Sequence, residues 1–176
     1  MGDQILVASC VGRFYAIDRE TGEERWRFDI TDDGGSQFHC EMLVQGDQVV
    51  FGTDGRRGNA HALDITTGEA RWMYECGKAF RTDVRENGET IIGVARKESV
   101  DELFCVDADD GDVVWTVDHE KRDRSGYLNT PLILENDVLY GATDGRLYRY
   151  DGATGDVVES HDLGAMCGQA ACAAAG

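Results

Sequence analysis

Three kinds of side chain in this sequence could do chemistry: clustered carboxylates, serine–histidine pairs and thiols. Residues 107–112 read DADDGD, and closely spaced acidic oxygens are the ligands that calcium prefers. The glycine of this segment, however, occupies a repeated turn position, which favours a solvated β-turn over a calcium loop. None of the serines lies in a G-x-S-x-G setting, and the four histidines are scattered along the chain. We therefore predict no catalytic residue and no metal site.

The thiols show no pattern of their own. The first residues carry no basic segment followed by an apolar run, so the sequence predicts a cytoplasmic protein whose thiols stay reduced. In that setting the cysteines are interpreted as small buried hydrophobic residues. A disulfide is the alternative if the chain is a piece of an exported protein. The six cysteines, which show neither C-x-x-C nor zinc-type spacing, are at positions 10, 40, 76, 105, 167 and 172.

Acidic residues dominate the charge of this chain. It has 176 residues, with 34 acidic against 17 basic side chains, so the formal net charge is −17. Such a surface excludes sequence-independent binding of nucleic acid or anionic lipid, which needs basic side chains. No run approaches the roughly 18 apolar residues of a membrane span, so we expect no membrane insertion. An acidic surface with few lysines also predicts a halophilic source.

The chain is a fourfold repeat. An aspartate recurs at intervals of 46, 43 and 44 residues, and a glycine follows each aspartate four residues later. Eight residues after the aspartate comes a tryptophan in the first three copies, so every tryptophan of the chain falls in one phase. The four segments are FYAIDRETGEERWRFD (14–29), AHALDITTGEARWMYE (60–75), FCVDADDGDVVWTVD (104–118) and LYRYDGATGDVVESHD (147–162).

Each repeat is predicted to contain four β-strands, A to D. Alternating apolar residues predict strand B, the aspartate run predicts strand C and the tryptophan segment predicts strand D, with a glycine closing the C–D turn. Four strands in a period of about 44 residues are typical of a propeller blade. We therefore predict an all-β fold, a β-propeller repeat array of four four-stranded blades. The predicted blades are 4–29 plus 168–175, 36–75, 78–118 and 126–162.

The repeat resembles the pyrroloquinoline-quinone-like (quinoprotein-type) β-propeller repeat family. The pattern A-x-D-x-x-T-G-x-x-x-W is intact in the first two copies, whereas the third has Cys105 and Asp110 and the fourth has Arg149 and Glu159 as replacements. The resemblance implies a docking device, in which each tryptophan packs on the glycine turn of the neighbouring blade. The residues assigned to it are Asp18, Gly22, Trp26, Asp64, Gly68, Trp72, Asp107, Gly111, Trp115, Asp151 and Gly155.

The resemblance implies a fold and leaves two functions open, because fold alone does not assign chemistry. The family includes quinone-dependent dehydrogenases and cofactor-free scaffolds, in rings of seven or eight blades. We expect a non-catalytic scaffold, or a ligand- or protein-binding module, without a cofactor. The alternative is a fragment or subunit of a quinone-dependent dehydrogenase, which would hold pyrroloquinoline quinone with Ca²⁺. The adjacent cysteine pair of many such enzymes is absent from this sequence.

The start of strand A faces the central channel of a propeller, and this channel mouth is the predicted binding site. Aligning the four copies places His39, Arg81, Asn129 and Gln169 at equivalent positions there, where they could bind a small polar or anionic ligand. Simple solvation of the channel is the alternative interpretation. Four blades could close a small ring, could form half of an eight-bladed ring with a second copy, or could be part of a longer chain. The expected partner is a protein or a second copy.

Overall fold

The computed structural model shows an all-β chain, as predicted. The described residues form sixteen β-strands, and every strand pairing among them is antiparallel. Only the backbone is described at 35, 36, 55–57 and 78–80. The structure describes residues 2–9, 11–30, 35–38, 41–80, 84–97, 99–120, 131–142 and 145–164.

The strands follow the order that the repeat predicts. In the second, third and fourth blades a three-residue strand A precedes strands B, C and D. The first blade holds β1 (Gln4–Ser9), β2 (Arg13–Asp18) and β3 (Glu24–Asp29). The connecting strand and the second blade are β4 (Gly35–Gln37), β5 (Leu43–Gln45), β6 (Gln48–Gly52), β7 (Asp54–Asp64) and β8 (Ala70–Phe80). The third is β9 (Arg85–Asn87), β10 (Thr90–Arg96), β11 (Val100–Asp107) and β12 (Val113–Glu120). The fourth is β13 (Leu132–Leu134), β14 (Asp137–Gly141), β15 (Arg146–Asp151) and β16 (Val157–Asp162).

Two of the predicted blades share hydrogen bonds. The sheet orders are β1-β2-β3 for the first blade and β13-β14-β15-β16 for the fourth, but the second and third blades form one nine-stranded sheet. Strand β8 continues past the end predicted at residue 75, and its residues Ala79 and Phe80 pair with Arg96 and Ala95 of β10. The segment 168–175, predicted to complete the first blade, lies outside the described residues.

The same turn closes strands C and D in all four blades. The glycines at 22, 68, 111 and 155 have φ between 73° and 76°, a conformation that side chains with a Cβ rarely adopt. Each glycine N–H donates to the carbonyl of the aspartate four residues earlier, as in Gly68 N to Asp64 O at 2.9 Å. The Asp64 carboxylate also accepts the backbone N–H groups of Thr66 and Thr67, both at 2.9 Å. Each repeat therefore presents its glycine in one fixed geometry.

The hydrophobic core lies between the blades. One cluster joins the first and second blades through Phe14, Trp26 and Phe51, and a second joins the second and third through Trp72 and Phe104. The third cluster lies between the third and fourth blades. Because each blade can bury its apolar faces only against a neighbour, the array is stabilised junction by junction.

Candidate functional site

Each tryptophan bridges two blades at the glycine-turn end of the array. The three rings are 6–8% exposed, and each lies on strand D of its own blade. The indole N–H of Trp26 donates to Ile65 O at 3.1 Å, that of Trp72 to Ala108 O at 2.8 Å and that of Trp115 to Gly152 O at 3.0 Å. Every acceptor belongs to the next blade, so one hydrogen bond and one buried ring join each pair of neighbours.

The glycine of the next blade lies directly beneath each ring. A Cβ added to Gly68 would stand 2.5 Å from the Trp26 ring, and one added to Gly111 would stand 2.8 Å from Trp72. At Gly155 the corresponding distance, to the Trp115 ring, is 2.7 Å. These glycines are thus required twice, once for their positive φ and once for the close approach of the ring. We call a glycine turn of this geometry an indole seat.

The first and fourth blades depart from this pattern. Gly22 in the first blade has the same φ of 74°, but no heavy atom of the described residues would lie within 4 Å of its added Cβ. In the second blade, Ala62 and Trp72 lie opposite each other on strands C and D. The equivalent pair in the fourth blade is Arg149 and Glu159. These two side chains form an ion pair of 3.6 Å, and all of β16 is exposed.

The opposite end of the array carries polar groups buried at each junction. Between the first and second blades, His61 is only 2% exposed, and its ring lies against Phe28 and Phe51 at centroid distances of 5.6 and 5.5 Å. Burial lowers the pKa of His61 to about 4, so the ring is neutral at pH 7. Among the described residues, its Nε2 atom has no hydrogen-bond partner, and neither does Oδ1 of the neighbouring, equally buried Asn59.

A carboxylate occupies the same end of the next junction. Glu102 is buried between the second and third blades, where it accepts the hydroxyl of Tyr74 at 2.7 Å and forms an ion pair with Lys97. Burial, followed by the hydrogen bond to Glu102, raises the pKa of Tyr74 far above its usual value. The tyrosine therefore acts here as a permanent hydrogen-bond donor that links the two blades.

The third junction combines an ion pair with an aromatic cluster. Asp101 is fully buried, and Arg96 Nε lies 3.3 Å from its Oδ1. His119, opposite Asp101 in the strand register, has Nε2 2.7 Å from the Tyr150 hydroxyl of the fourth blade. Its ring also packs on Tyr148 at 4.8 Å. A carboxylate, a histidine and a hydroxyl in this order resemble a proton relay. Because these groups are buried, however, none of them is an accessible nucleophile, and we interpret them as a stabilising contact between blades.

A cleft of about 320 Å³ opens beside β1. It is lined by Leu6 on one side and by Val44 and Ile65 of the second blade on the other. The amide of Gln4 crosses it to donate to Ile65 O at 2.6 Å. Because β1 pairs only with β2 among the described residues, the cleft lies along the open edge of the first blade.

The structure leaves the predicted channel-mouth site untested. His39, Arg81, Asn129 and Gln169 all lie outside the described residues, and their binding role stays a prediction. The thiols of Cys76 and Cys105 are buried, and burial raises the pKa of Cys105. Within the described ranges, no group of three histidine, cysteine, aspartate or glutamate side chains could hold a metal ion.

The sequence reasoning missed the buried charges at the third blade. Strand β10 ends at Arg96 and Lys97 follows it, while Asp101 and Glu102 lie near the start of β11. Two basic residues facing two acidic residues across a short hairpin are a recognisable signal for cross-strand ion pairs. That signal does not reveal burial, which depends on the neighbouring blades.

The known proteins that match this chain are matched across its repeats. A family model described as outer membrane protein assembly factor BamB matches residues 1–93 and 88–165. The outer membrane protein assembly factor BamB of Salmonella typhimurium is 26% identical over 141 residues, which cover 78% of this chain and 32% of the relative. The crystal structure of BamB from Moraxella catarrhalis is 25% identical, with a TM-score of 0.73, covering 91% of this chain and 46% of that one.

Quinone enzymes share the fold at lower identity. The quinohemoprotein alcohol dehydrogenase of Comamonas testosteroni is 16% identical with a TM-score of 0.72, covering 91% of this chain and 34% of the enzyme. At this identity the likeness shows the β-propeller fold alone. The predicted propeller repeat array is therefore confirmed, and the chain spans about a third of its curated relative.

The predicted cytoplasmic location is wrong. Both the matched family and the curated relative are outer membrane protein assembly factors, which belong to the cell envelope. The prediction depended on the first residues, which carry little information when a chain spans only about a third of its relative. In the part of the chain that is described, no helix is long and apolar enough to cross a membrane. Repeat, fold and family match agree, and the chain belongs to the BamB family of PQQ-like β-propeller repeats.

Proposed function

We propose that this chain is a non-catalytic scaffold module that binds a protein partner through the open face of its first blade. The observation that carries this proposal is the exposure of that face. Ile5 and Val7 of β1 are 50% and 41% exposed, whereas the equivalent Val49 and Phe51 of the second blade are fully buried against the first blade. The corresponding faces of the other three blades are buried against a neighbour. An exposed apolar face of the same construction is typical of a protein-binding surface.

The name of the relatives supports a role among proteins. The curated relative is an outer membrane protein assembly factor, so its printed function concerns other proteins rather than a small-molecule reaction. Polar groups at two junctions support the same view, because Tyr74 binds Glu102 and Tyr150 binds His119 across neighbouring blades. Two occupants of the open face remain under this proposal: a different protein, or a second copy that completes an eight-bladed ring.

The quinone-dependent dehydrogenase is the weaker alternative. Its support is a likeness that shows only the fold. The one calcium-like segment forms a turn, in which Asp107 Oδ1 accepts the backbone N–H of Asp109 at 2.8 Å. Titration with pyrroloquinoline quinone and Ca²⁺ tests the alternative directly. We expect no stoichiometric uptake of the quinone, and a bound quinone spectrum would favour the enzyme.

Site-specific photo-crosslinking tests the scaffold proposal. A photoreactive residue at Ile5 should yield a protein adduct in cells, and mass spectrometry then names the adduct. The matched control is the same residue at Val113, which is 54% exposed on the outermost strand of the third blade. The named partner is then purified and titrated against the chain. Adducts that are no stronger at Ile5 than at Val113 would argue against the proposal.

A further inference from the structure

A buried histidine nitrogen at the first junction lacks the contact that it needs. His61 is buried, and its Nε2 atom makes no hydrogen bond to any described residue. A neutral imidazole carries one N–H and one lone pair, and a buried nitrogen of either kind costs free energy until something binds it. The rings of Phe28 and Phe51 pack on the imidazole, and neither of them supplies a polar group.

A thioether stands beside this ring. Strand β7 lies between β6 and β8, so His61 is paired with Phe51 on one side and with Met73 on the other. Paired residues of an antiparallel sheet project from the same face, and the Met73 side chain therefore shares the face of the histidine. Nδ2 of Asn59 donates to the Met73 sulfur at 3.1 Å. Because Asn59 lies on β7, this hydrogen bond holds the sulfur toward the strand that carries the histidine.

The side chain of Asn59 adds an oxygen to the same face. It is buried, and its Oδ1 atom has no hydrogen-bond partner among the described residues. Strand residues two positions apart project to one side, so this oxygen and the His61 nitrogen are neighbours along β7. The nearby carboxylate of Glu75, which pairs with Asn59, is exposed to solvent. The buried donor atoms of this face are thus an imidazole nitrogen, a thioether sulfur and an amide oxygen, all of them neutral.

This donor set fits a soft univalent cation. Thioether sulfur selects Cu⁺ among the first-row metals, and imidazole also binds copper, whereas Ca²⁺ and structural Zn²⁺ take carboxylates or thiolates. The faces of Phe28 and Phe51 attract a cation electrostatically. Met73 is 44% exposed, which gives an ion a path from solvent to the buried nitrogen.

We propose that His61 and Met73 form a binding site for a soft univalent metal ion, Cu⁺ or Ag⁺, with the imidazole Nε2 and the thioether sulfur as ligands. Asn59 is a positioning residue, since its N–H group uses one sulfur lone pair and leaves the other for the metal. The ring proton then resides on Nδ1, and no electron is transferred on binding. The site lies at the junction with the first blade, and it does not depend on the protein-binding role of that blade.

Nuclear magnetic resonance of the full chain tests the site with Ag⁺, which replaces Cu⁺ without redox chemistry. Thiols compete for Ag⁺, so the accessible cysteines are first alkylated and the product is checked by intact mass. The chain is labelled at the methionine methyl carbons and the histidine nitrogens. We expect the Met73 methyl and the His61 Nε2 signals to shift together and to saturate at an equimolar amount of Ag⁺.

A series of variants separates the ligands from their surroundings. His61→Phe should abolish the shift of the Met73 methyl, and Met73→Leu should abolish that of His61. Asn59→Ala should weaken binding by about 10–100-fold, as the loss of an outer-sphere partner does. The matched control is Cys76→Ala, which removes a buried thiol from the same strand where it packs toward the third blade, and both shifts should persist.

Two results would overturn the proposal. They are a Met73 methyl signal that does not move in excess Ag⁺, and a Met73 shift that survives His61→Phe. Circular dichroism checks the folding of each variant. If His61→Phe does not fold, Met73→Leu decides at its partly exposed position, because a His61 shift that persists there would refute the site. The scaffold proposal is judged separately by the crosslinks at Ile5.

Discussion

Neighbouring blades are joined by different contacts at the two ends of the blades. At the glycine-turn end, all three described junctions use one device: an indole over a glycine and one hydrogen bond to a carbonyl. At the opposite end, each junction has its own contact, centred on His61, on Glu102 or on Asp101 with His119. A repeated contact holds any two blades together, whereas a distinct contact specifies which two blades are neighbours. We therefore expect the first end to contribute most of the stability and the second to specify the order of the blades.

Removing one indole should have the largest effect. We expect Trp72→Ala to lower the free energy of unfolding by about 3–5 kcal/mol, since it empties a buried site and leaves Ala108 O without its donor. Urea denaturation measures the change. Val114→Ala, at an exposed position, serves as control and should stay within about 0.5 kcal/mol. An equal effect of both substitutions would contradict a special contribution of the buried indole to stability.

Acid should weaken the junction at His61 next. The folded pKa is about 4 against 6.5 for the free side chain, so below pH 6.5 the unfolded chain binds a proton that the folded chain does not. The stability from this group is therefore complete above pH 6.5 and falls toward pH 4, by about 3 kcal/mol over the whole window. Denaturation at pH 7 and pH 4.5 measures most of this loss. In His61→Phe, which keeps an aromatic ring among Phe28 and Phe51, the loss should disappear.

The hydrogen bond between Tyr74 and Glu102 should contribute less. Tyr74→Phe removes the hydroxyl and leaves a buried carboxylate with one donor fewer, which costs about 1.5–3 kcal/mol for a bond to a charged group. Thermal unfolding of the variant measures this change. Tyr15→Phe, at a partly exposed tyrosine of the first blade, is the comparison and should be nearly neutral. A neutral Tyr74→Phe would mean that Lys97 alone satisfies Glu102.

The ion pair of the fourth blade should matter least. Arg149 and Glu159 are about half exposed, and surface pairs of this kind contribute about 0–1 kcal/mol. We therefore expect Arg149→Ala/Glu159→Ala to unfold within about 1 kcal/mol of the unchanged chain at low salt, with a smaller difference at molar salt. A loss as large as that of Trp72→Ala would show that this pair replaces the indole energetically.

Local pattern predicted most of the fold. The aspartate, glycine and tryptophan phases located strands C and D in each repeat, because these residues act within one turn whose geometry is set by sequence neighbours. The continuation of β8 to Phe80 was not predicted. It depends on pairing with β10, a strand that belongs to another repeat. The four channel-mouth positions stay a prediction, since the structure does not describe them.

The sequence by itself determined the repeat, the strand order and the glycine that each turn requires, since alternation and positive φ are properties of a few adjacent residues. It also showed that the fourth copy lacks its tryptophan. Only the tertiary structure decided which groups are buried. Asp101, Glu102 and His119 look like surface residues in the sequence, but neighbouring blades enclose them. Among the described residues, Gly22 differs from the other three turn glycines in having no indole over it. That difference is likewise visible only in the tertiary structure, because a docking contact depends on the position of two blades in space rather than on either one alone.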